Sequence, residues 1–208
     1  MRLRSDYGLD TGHHGHMATT QQGSTAKAAM REQLRDHPVL WPPTSGIQLT
    51  EHVISLAPEP QVASCYISYG DEAPTISLRT AWIQAGARVL IPILMPNKDL
   101  DWVLDDGTAG HAKQYSEPSG QHLGIQAVAA AEVIIVPVLA VGEDGARLGQ
   151  GGGSYDRVLG RLPREGRLVI ALAHDDRVFP AGILPVERHD VPVDVIVTPH
   201  RIIRTTTH

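Results

Sequence analysis

A glycine-rich segment in the second half of the chain places the strongest constraint on its fold. Residues 149–153 contain four glycines in five positions, between the apolar run Glu132–Val141 and the helix-forming segment Tyr155–Leu162. An apolar run of this kind is typical of a buried central strand. Glycines let the backbone turn tightly, so several N–H groups of one loop can point at one centre. The sequence therefore predicts a strand, an anion-binding loop and a helix in succession.

Phosphate is the anion that such a loop favours, because the helix start at Tyr155 adds the positive end of its dipole. A flexible surface loop is the alternative, although Arg147-Leu148 and Tyr155–Arg157 resemble ordered flanks. The loop is not a Walker A loop, since no Lys-Ser or Lys-Thr follows the glycines. It is not a dinucleotide fingerprint either, since Ser154 stands where the third glycine belongs. Its cations must come from Arg147 or from elsewhere in the chain.

Strands and helices alternate after Pro60. The predicted strands are Val62–Tyr69, Arg88–Met95, Asp101–Asp105, Glu132–Val141, Arg167–Ala173 and Val193–Thr198. The predicted helices are Ala26–Asp36, Ile76–Gln84, Leu123–Ala131 and Tyr155–Leu162, with a loop at Lys113–Gly120. Alternation of this kind predicts βαβ units in a mostly parallel sheet that is covered on both faces. We expect a single domain over residues 24–208.

The amino-terminal segment divides into a tail and a helix. Residues 1–23 are polar and glycine-rich, and we expect an added or frayed tail there. In the helix Ala26–Asp36, Lys27, Arg31 and Arg35 recur every four residues and so share one face. This stripe is either a solvated basic face or a grip on phosphate.

Composition excludes several classes of protein. A net charge of −5 and an aromatic content of 4% argue against a nucleic-acid binder. Cys65 is the single cysteine, so no internal disulfide can form, and its apolar surroundings predict a buried, inert thiol. No apolar run is long enough to span a bilayer. We therefore expect a cytoplasmic monomer that binds neither nucleic acid nor membrane.

Acidic residues beside the loop suggest a metal. Asp156 directly follows the glycine segment, where a carboxylate would repel phosphate unless a cation such as Mg²⁺ lay between them. A helix-capping role is the alternative. A second acidic group near the carboxyl terminus, Glu187, Asp190 and Asp194, either completes such a site or forms surface ion pairs.

These motifs resemble those of the 5-formyltetrahydrofolate cyclo-ligase family. Gly145–Arg157 looks like the family's G-x-R-L-G-x-G-G-G-x-Y-D-R block, which is specific. Three weaker blocks follow the family's order: Lys27–Arg31 resembles its amino-terminal K-x-x-x-R, Tyr66–Thr75 its substrate-binding strand and loop, and Leu184–Thr198 its closing block. Gly86–Pro92 and Glu117-Pro118 match shorter family features.

The resemblance implies a fold, an activity and a set of site residues. The implied fold is α/β, a three-layer α/β/α sandwich with a mostly parallel sheet of the NagB/RpiA/CoA transferase-like type. The implied activity is ATP- and Mg²⁺-dependent conversion of 5-formyltetrahydrofolate to 5,10-methenyltetrahydrofolate with release of ADP and phosphate. The implied catalytic residues are Arg147 and Tyr155, and the implied metal ligands are Asp156 and Asp190. The implied substrate-binding residues are Ile67, Glu72, Gln150 and Tyr155. The implied ATP-binding residues are Lys27, Arg31, Arg147, Leu148, Gly149, Gln150, Gly151, Gly152, Gly153, Ser154 and Tyr155.

The chain also departs from the residues frequent in that family. It has Pro74 and Gly142 where acidic residues are frequent, Ser154 where an aromatic is common, and Arg177 where glutamine is frequent. Two alternatives therefore remain open. One is a sugar-phosphate isomerase or acyl-transfer-like enzyme on a similar scaffold. The other is a non-catalytic nucleotide- or folate-binding paralogue.

Overall fold

The computed structural model of the protein describes residues 20–108, 118 and 120–206. Its helices are α1 (Thr20–Arg35), α2 (Ser45–Leu56), α3 (Ile76–Gln84) and α4 (Ser154–Gly160), with short 3₁₀ turns at Ala127–Ala130 and Asp175–Arg177. Within the described ranges, no helix has the length and apolar character needed to cross a membrane. The predicted tail up to residue 19 lies outside the described residues, and so does most of the predicted loop Lys113–Gly120, including Glu117.

A seven-stranded sheet forms the centre of the molecule. Its strands are β1 (Val62–Ser64), β2 (Arg88–Leu94), β3 (Leu100–Leu104), β4 (Val133–Pro137), β7 (Leu168–Leu172), β9 (Val195–Val197) and β10 (Ile202–Arg204). They lie in the order β10-β9-β7-β4-β1-β2-β3. The five inner strands β9, β7, β4, β1 and β2 are parallel, while β3 and β10 pair antiparallel at the two edges.

Two apolar layers cover the faces of this sheet. Along β4, Val133 and Ile135 point to one face and Ile134 and Val136 to the other, as the two-residue period of a strand requires. The first face packs against α2 and α3, through residues such as Leu49 and Trp82. The second packs against α4 and the first 3₁₀ turn. This confirms the predicted three-layer α/β/α fold with a mostly parallel sheet.

A second sheet supports the glycine segment. It consists of β5 (Ala140–Gly142), β6 (Arg147–Leu148) and β8 (Val178–Phe179) in the order β6-β5-β8. Leu34 of α1 packs on it against Ala140 and Leu148. The prediction of one strand over Glu132–Val141 was therefore wrong. The run divides after Pro137, which has no N–H to extend the ladder, and the chain continues into the smaller sheet.

Several other predicted boundaries change. Helix α3 has the predicted bounds, whereas α1 begins at Thr20 rather than Ala26, inside the predicted tail. The strand predicted over Val62–Tyr69 ends at Ser64. The Cys65 amide still donates to the Leu90 carbonyl of β2 at 3.0 Å, but the Tyr66 carbonyl accepts from the Thr75 hydroxyl of its own loop at 2.7 Å. The helix predicted over Leu123–Ala131 is only the 3₁₀ turn Ala127–Ala130. Helix α2, β8, β10 and β6 of the smaller sheet were not predicted.

Candidate active site

The glycine loop connects β6 to α4 in the predicted order. Gly151 and Gly153 have φ angles of +105° and +67°, which are strained for any residue with a side chain. Gly153 is the amino-terminal cap of α4. Because α4 has only seven residues, the amides of the loop rather than a long helix dipole must supply most of the attraction for an anion.

Gly145, at the start of the same motif, serves packing. Its φ is +86°, and a Cβ there would lie 2.6 Å from the carbonyl oxygen of Val193. The turn between β5 and β6 therefore packs closely on the carboxyl-terminal segment, and the amide of Val193 donates to the Gly145 carbonyl at 3.0 Å. This contact brings the two halves of the candidate site, the loop and the closing acidic segment, to the same side of the molecule.

Helix α1 lies along the glycine loop. Arg31 donates from Nε to the Gly149 carbonyl at 2.8 Å, across 118 positions of sequence. Arg35 donates to the carbonyl and side-chain oxygens of Gln150 at 3.2 and 3.1 Å. The basic stripe is therefore not simply a solvated face, because it contacts the predicted phosphate loop. Arg35 was seen in the sequence as part of this stripe but was not assigned to the site.

Lys27, on the same face, contacts the carboxyl-terminal acids. Its Nζ lies 2.6 and 2.5 Å from the two carboxylate oxygens of Asp190 and 2.9 Å from Oε2 of Glu187. All three side chains are largely buried. Glu187, His189 and Asp190 also form the group among the described residues whose ligand atoms are close enough to share a metal ion. Asp156 is not part of that group.

Arg147 forms a second ion pair between the loop and the acids. Its guanidinium donates to Oδ1 of Asp156 at 2.6 Å and to the Val191 carbonyl at 3.2 Å, and Asp156 also accepts from the Val191 amide at 3.3 Å. Burial lowers the pKa of Arg147 from its ordinary value, although Asp156 and Asp190 act in the opposite direction. The two predicted metal ligands thus both act on Arg147.

Tyr155 is in the first turn of α4, and Glu72 lies in the turn that follows β1 of the main sheet. The Tyr155 hydroxyl is buried and has no hydrogen-bond partner among the described residues. Burial raises the pKa of Tyr155, with Cys65 and Glu72 adding to the effect. Burial likewise raises the pKa of Glu72, and the Tyr69 amide, which donates to its Oε2, opposes this. The Glu72 carboxylate is thus one of the charges that act on the buried Tyr155 hydroxyl.

The remaining predicted residues have mixed positions. Ile67 is half-buried beside the main core, and Gln150 is exposed with its side-chain oxygen bonded to Arg35. Leu148 packs its side chain in the small core, so only its backbone can reach a ligand. Cys65 is fully buried, which confirms the prediction, and burial raises the pKa of its thiol to about 12.

Two residues near the site were not recognised in the sequence as parts of it. Trp41 donates from Nε1 to the carbonyl of Asp71, next to Glu72. Arg177, noted only as a departure from the family pattern, is buried and donates to the carbonyls of Leu34 and His37 at the end of α1. Tryptophan at the edge of a proline-rich segment was the only sequence signal for the first. A buried arginine gives none until its partners are known.

Comparison with known proteins supports the resemblance. A model of the 5-formyltetrahydrofolate cyclo-ligase family matches residues 23–199. A 5-formyltetrahydrofolate cyclo-ligase of Mycolicibacterium smegmatis is 36% identical over 143 residues, covering 65% of this chain and 72% of that protein. The enzyme of the same name from Escherichia coli K12 is 30% identical over 142 residues, covering 66% and 77%.

The fold agrees with that of a solved structure. A 5,10-methenyltetrahydrofolate synthetase from Mycoplasma pneumoniae superposes with a TM-score of 0.65 at 17% identity, covering 83% of this chain and 98% of the other. At this identity the likeness concerns the fold alone. The family model, however, spans nearly all of the described residues, including α1, the glycine loop and the closing acidic segment. The chain therefore belongs to the 5-formyltetrahydrofolate cyclo-ligase family.

Proposed function

We propose that the protein is an ATP- and Mg²⁺-dependent ligase that closes 5-formyltetrahydrofolate to 5,10-methenyltetrahydrofolate and releases ADP and phosphate. Family membership supports this reaction. The observation that carries it in the structure is the contact of Arg31 with Gly149 at 2.8 Å, which joins a cationic helix face to the glycine loop. A glycine-rich loop with cations at its rim suits a polyphosphate.

ATP binds along this junction. The amides of Gly149–Gly153 and of Ser154 and Tyr155 face the phosphates, and Lys27, Arg31 and Arg147 neutralise their charge. Lys27 and Arg147 bond to carboxylates in this structure, at Asp190 and Asp156. Phosphate oxygens are equivalent partners for both cations, so binding exchanges one set of ion pairs for another.

The acids released by that exchange suit magnesium. Asp156, Asp190 and Glu187 offer carboxylate oxygens, which are the ligands Mg²⁺ prefers, and Arg147 and Lys27 already hold a positive charge beside them. The donor chemistry therefore fits the ion, which Asp156 and Asp190 would hold. When bound, Mg²⁺ neutralises the charge of the ATP phosphates.

The folate substrate lies on the other side of Tyr155. Glu72 accepts hydrogen bonds from the donor edge of the pterin, Ile67 forms an apolar wall, and Gln150 and Tyr155 lie between the two substrates. Burial around Glu72 and Tyr155 supports this arrangement, because a hydrogen bond made away from water discriminates strongly between partners.

The reaction needs positioning and charge stabilisation rather than a protein nucleophile. The formyl oxygen attacks the γ-phosphorus, and the bond from that phosphorus to the ADP oxygen breaks. N10 of the folate then attacks the activated formyl carbon and loses its proton, while the formyl oxygen leaves as part of phosphate. Arg147 stabilises the transferring phosphoryl group, and Tyr155 holds the formyl group against it.

One assay tests the proposal directly. Protein mixed with Mg-ATP and 5-formyltetrahydrofolate is expected to develop the absorbance of the methenyl folate and to form ADP in equal amount, and omission of ATP abolishes both. Turnover of a sugar phosphate or acyl donor without ATP would support the isomerase or acyl-transfer alternative instead. Binding of both substrates without any product would identify a non-catalytic paralogue.

The predicted monomeric state and cytoplasmic location stay predictions. Sedimentation of the purified protein measures the first, and fractionation of cells that express it measures the second.

A further inference from the structure

The turn that carries Glu72 is closed by its own hydrogen bonds. The Glu72 amide donates to the Tyr69 carbonyl at 3.2 Å, and the Tyr69 amide donates back to Oε2 of Glu72 at 3.0 Å. Gly70, inside the turn, has a φ of +58°. The direction of the Glu72 carboxylate is therefore tied to the backbone of residues 69–72. Anything that shifts this turn also shifts the carboxylate.

Trp41 holds the turn from outside. Its indole Nε1–H donates to the Asp71 carbonyl at 2.9 Å, across 30 positions of sequence. The ring is half-buried against the main core, and its other contact is an edge-on packing with His174, at 5.3 Å between ring centroids and 81° between planes. Core packing and the His174 contact fix the ring, so the hydrogen bond fixes the turn.

The same 3₁₀ turn that contacts Trp41 also holds the end of α1. His174 is the amino-terminal cap of that turn, Asp175–Arg177, and Arg177 is its last residue. Arg177 donates to the carbonyls of Leu34, at 3.0 Å, and His37. The segment from Leu34 to Trp41 is therefore held at both ends. At one end it follows the helix that carries Lys27 and Arg31, and at the other end Trp41 contacts the turn that carries Glu72.

We propose that Trp41 is a positioning residue for Glu72 and thereby sets the affinity for the pterin part of the substrate. This inference rests on the proposed function. The donor edge of a pterin pairs with a carboxylate only when both oxygens face it, and Trp41 keeps the turn in the conformation that allows this. Trp41 acts through the Asp71 carbonyl and not by contact with ATP.

The test is Trp41→Phe, which keeps an aromatic ring beside His174 and removes the N–H donor. We expect the KM for 5-formyltetrahydrofolate and its Kd without ATP to rise about three- to tenfold, the range for one lost hydrogen bond. The KM for ATP and kcat stay near their original values. A general loss of structure would instead change all of these together.

Trp82→Phe is the matched control. Trp82, in α3, also donates from Nε1 to a backbone carbonyl, but its acceptor is Ala57 at the end of α2, at 3.2 Å. The same atomic change there is expected to lower the Tm without changing folate affinity.

Gly70→Ala perturbs the turn independently. The new Cβ would meet no atom within 4 Å, so the substitution acts only through the positive φ at this position. It is expected to raise the folate KM while the Trp41 side chain itself is unchanged.

The outcomes separate this inference from the proposed function. A wild-type protein that neither binds nor converts 5-formyltetrahydrofolate overturns the proposed function, and the role of Trp41 with it. Active wild type with an unchanged folate KM in Trp41→Phe overturns the role of Trp41 alone. A raised folate KM in Gly70→Ala but not in Trp41→Phe does the same, since the turn then matters without its indole contact.

Discussion

Lys27 and Asp190 form a largely buried ion pair in which the Nζ of the lysine lies 2.6 and 2.5 Å from the two carboxylate oxygens. Glu187 shares the same ammonium at 2.9 Å. The Lys27 ammonium, which we expect to bind phosphate, and the Asp190 carboxylate, which we expect to bind metal, therefore neutralise each other. This pairing avoids burying either charge alone, which would be costly. It also means that each ligand competes with an internal partner.

Asp190→Asn removes one side of this competition. We expect the variant to bind metal-free ATP, measured by calorimetry in EDTA, about three- to tenfold more tightly than the wild type, because Lys27 loses its strongest competitor. Turnover with Mg-ATP falls at the same time. Glu59→Gln, at an exposed acid outside the site, changes the net charge equally and should leave metal-free ATP affinity as it was. Weaker binding of metal-free ATP by Asp190→Asn would show that Asp190 does not compete for Lys27.

Arg31→Gln tests the contact between α1 and the glycine loop. The substitution removes the charge and the Nε bond to Gly149. We expect the KM for ATP to rise about tenfold, while the folate KM and the Tm change little. Arg88→Gln, at an exposed arginine where β2 begins, serves as the control. An unchanged ATP KM would assign Arg31 to holding the loop only.

Tyr155→Phe separates a functional hydroxyl from a structural one. Burying a hydroxyl without a partner costs about 1–3 kcal/mol, so its removal should leave the Tm equal or higher while kcat falls. Tyr66→Phe is the opposite case, since the Tyr66 hydroxyl donates to the Ala73 carbonyl at 3.3 Å and its loss should lower the Tm. Thermal unfolding and steady-state kinetics on both variants decide the matter. Full activity in Tyr155→Phe would remove this hydroxyl from the mechanism.

Glu72→Gln tests recognition of the pterin. It replaces an acceptor oxygen with a donor that faces donors, an unfavourable contact of about 1–3 kcal/mol when buried, or about five- to 150-fold in folate affinity. ATP binding should be nearly unchanged. Titration with 5-formyltetrahydrofolate measures the effect. Unchanged folate affinity would move Glu72 out of the pocket and indicate another substrate.

The pH dependence of stability gives a second measurement on Glu72. Burial raises the pKa of this carboxyl in the folded protein above its ordinary value of 4.5. As pH rises above 4.5, Glu72 is deprotonated in the unfolded chain before it is deprotonated in the folded protein. The folded state then binds more protons at this group, so the contribution of Glu72 to stability falls as pH rises. Glu72→Gln removes this contribution. The free energy of unfolding of the variant should therefore gain on that of the wild type as pH rises above 4.5, and parallel curves would contradict the burial of the charge.

Local patterns predicted the elements whose boundaries are also local. Helix α3 was predicted with its observed bounds, because Gly86, with a φ of +89°, follows it. The glycine loop was located in the same way, from glycines within the segment itself. The run Glu132–Val141 shows the limit, since its apolar residues fit one strand equally well and only the pairing of Ala140 with Leu148 reveals the second sheet.

The candidate site depends on contacts that sequence patterns do not contain. Spacing predicted that Lys27 and Arg31 share a helix face, but it gave no reason for one to contact Asp190 and the other Gly149. The family resemblance named most of these residues and still missed Trp41 and Arg177. Both act on backbone carbonyls, and any residue can supply a carbonyl.

The bond between Lys27 and the acids near residue 190 also has a consequence for the order in which the protein is made. The partners are separated by 160 and 163 positions, so the ammonium leaves the ribosome long before Glu187 and Asp190 do. Strand β9, which pairs with β7, follows them and is likewise made late. A nascent or truncated chain that ends before residue 187 therefore holds the glycine loop without the carboxylates that complete it. Such a chain has the proposed phosphate-binding groups without Glu187 and Asp190, so we expect the proposed site to become complete only after these two residues have been made.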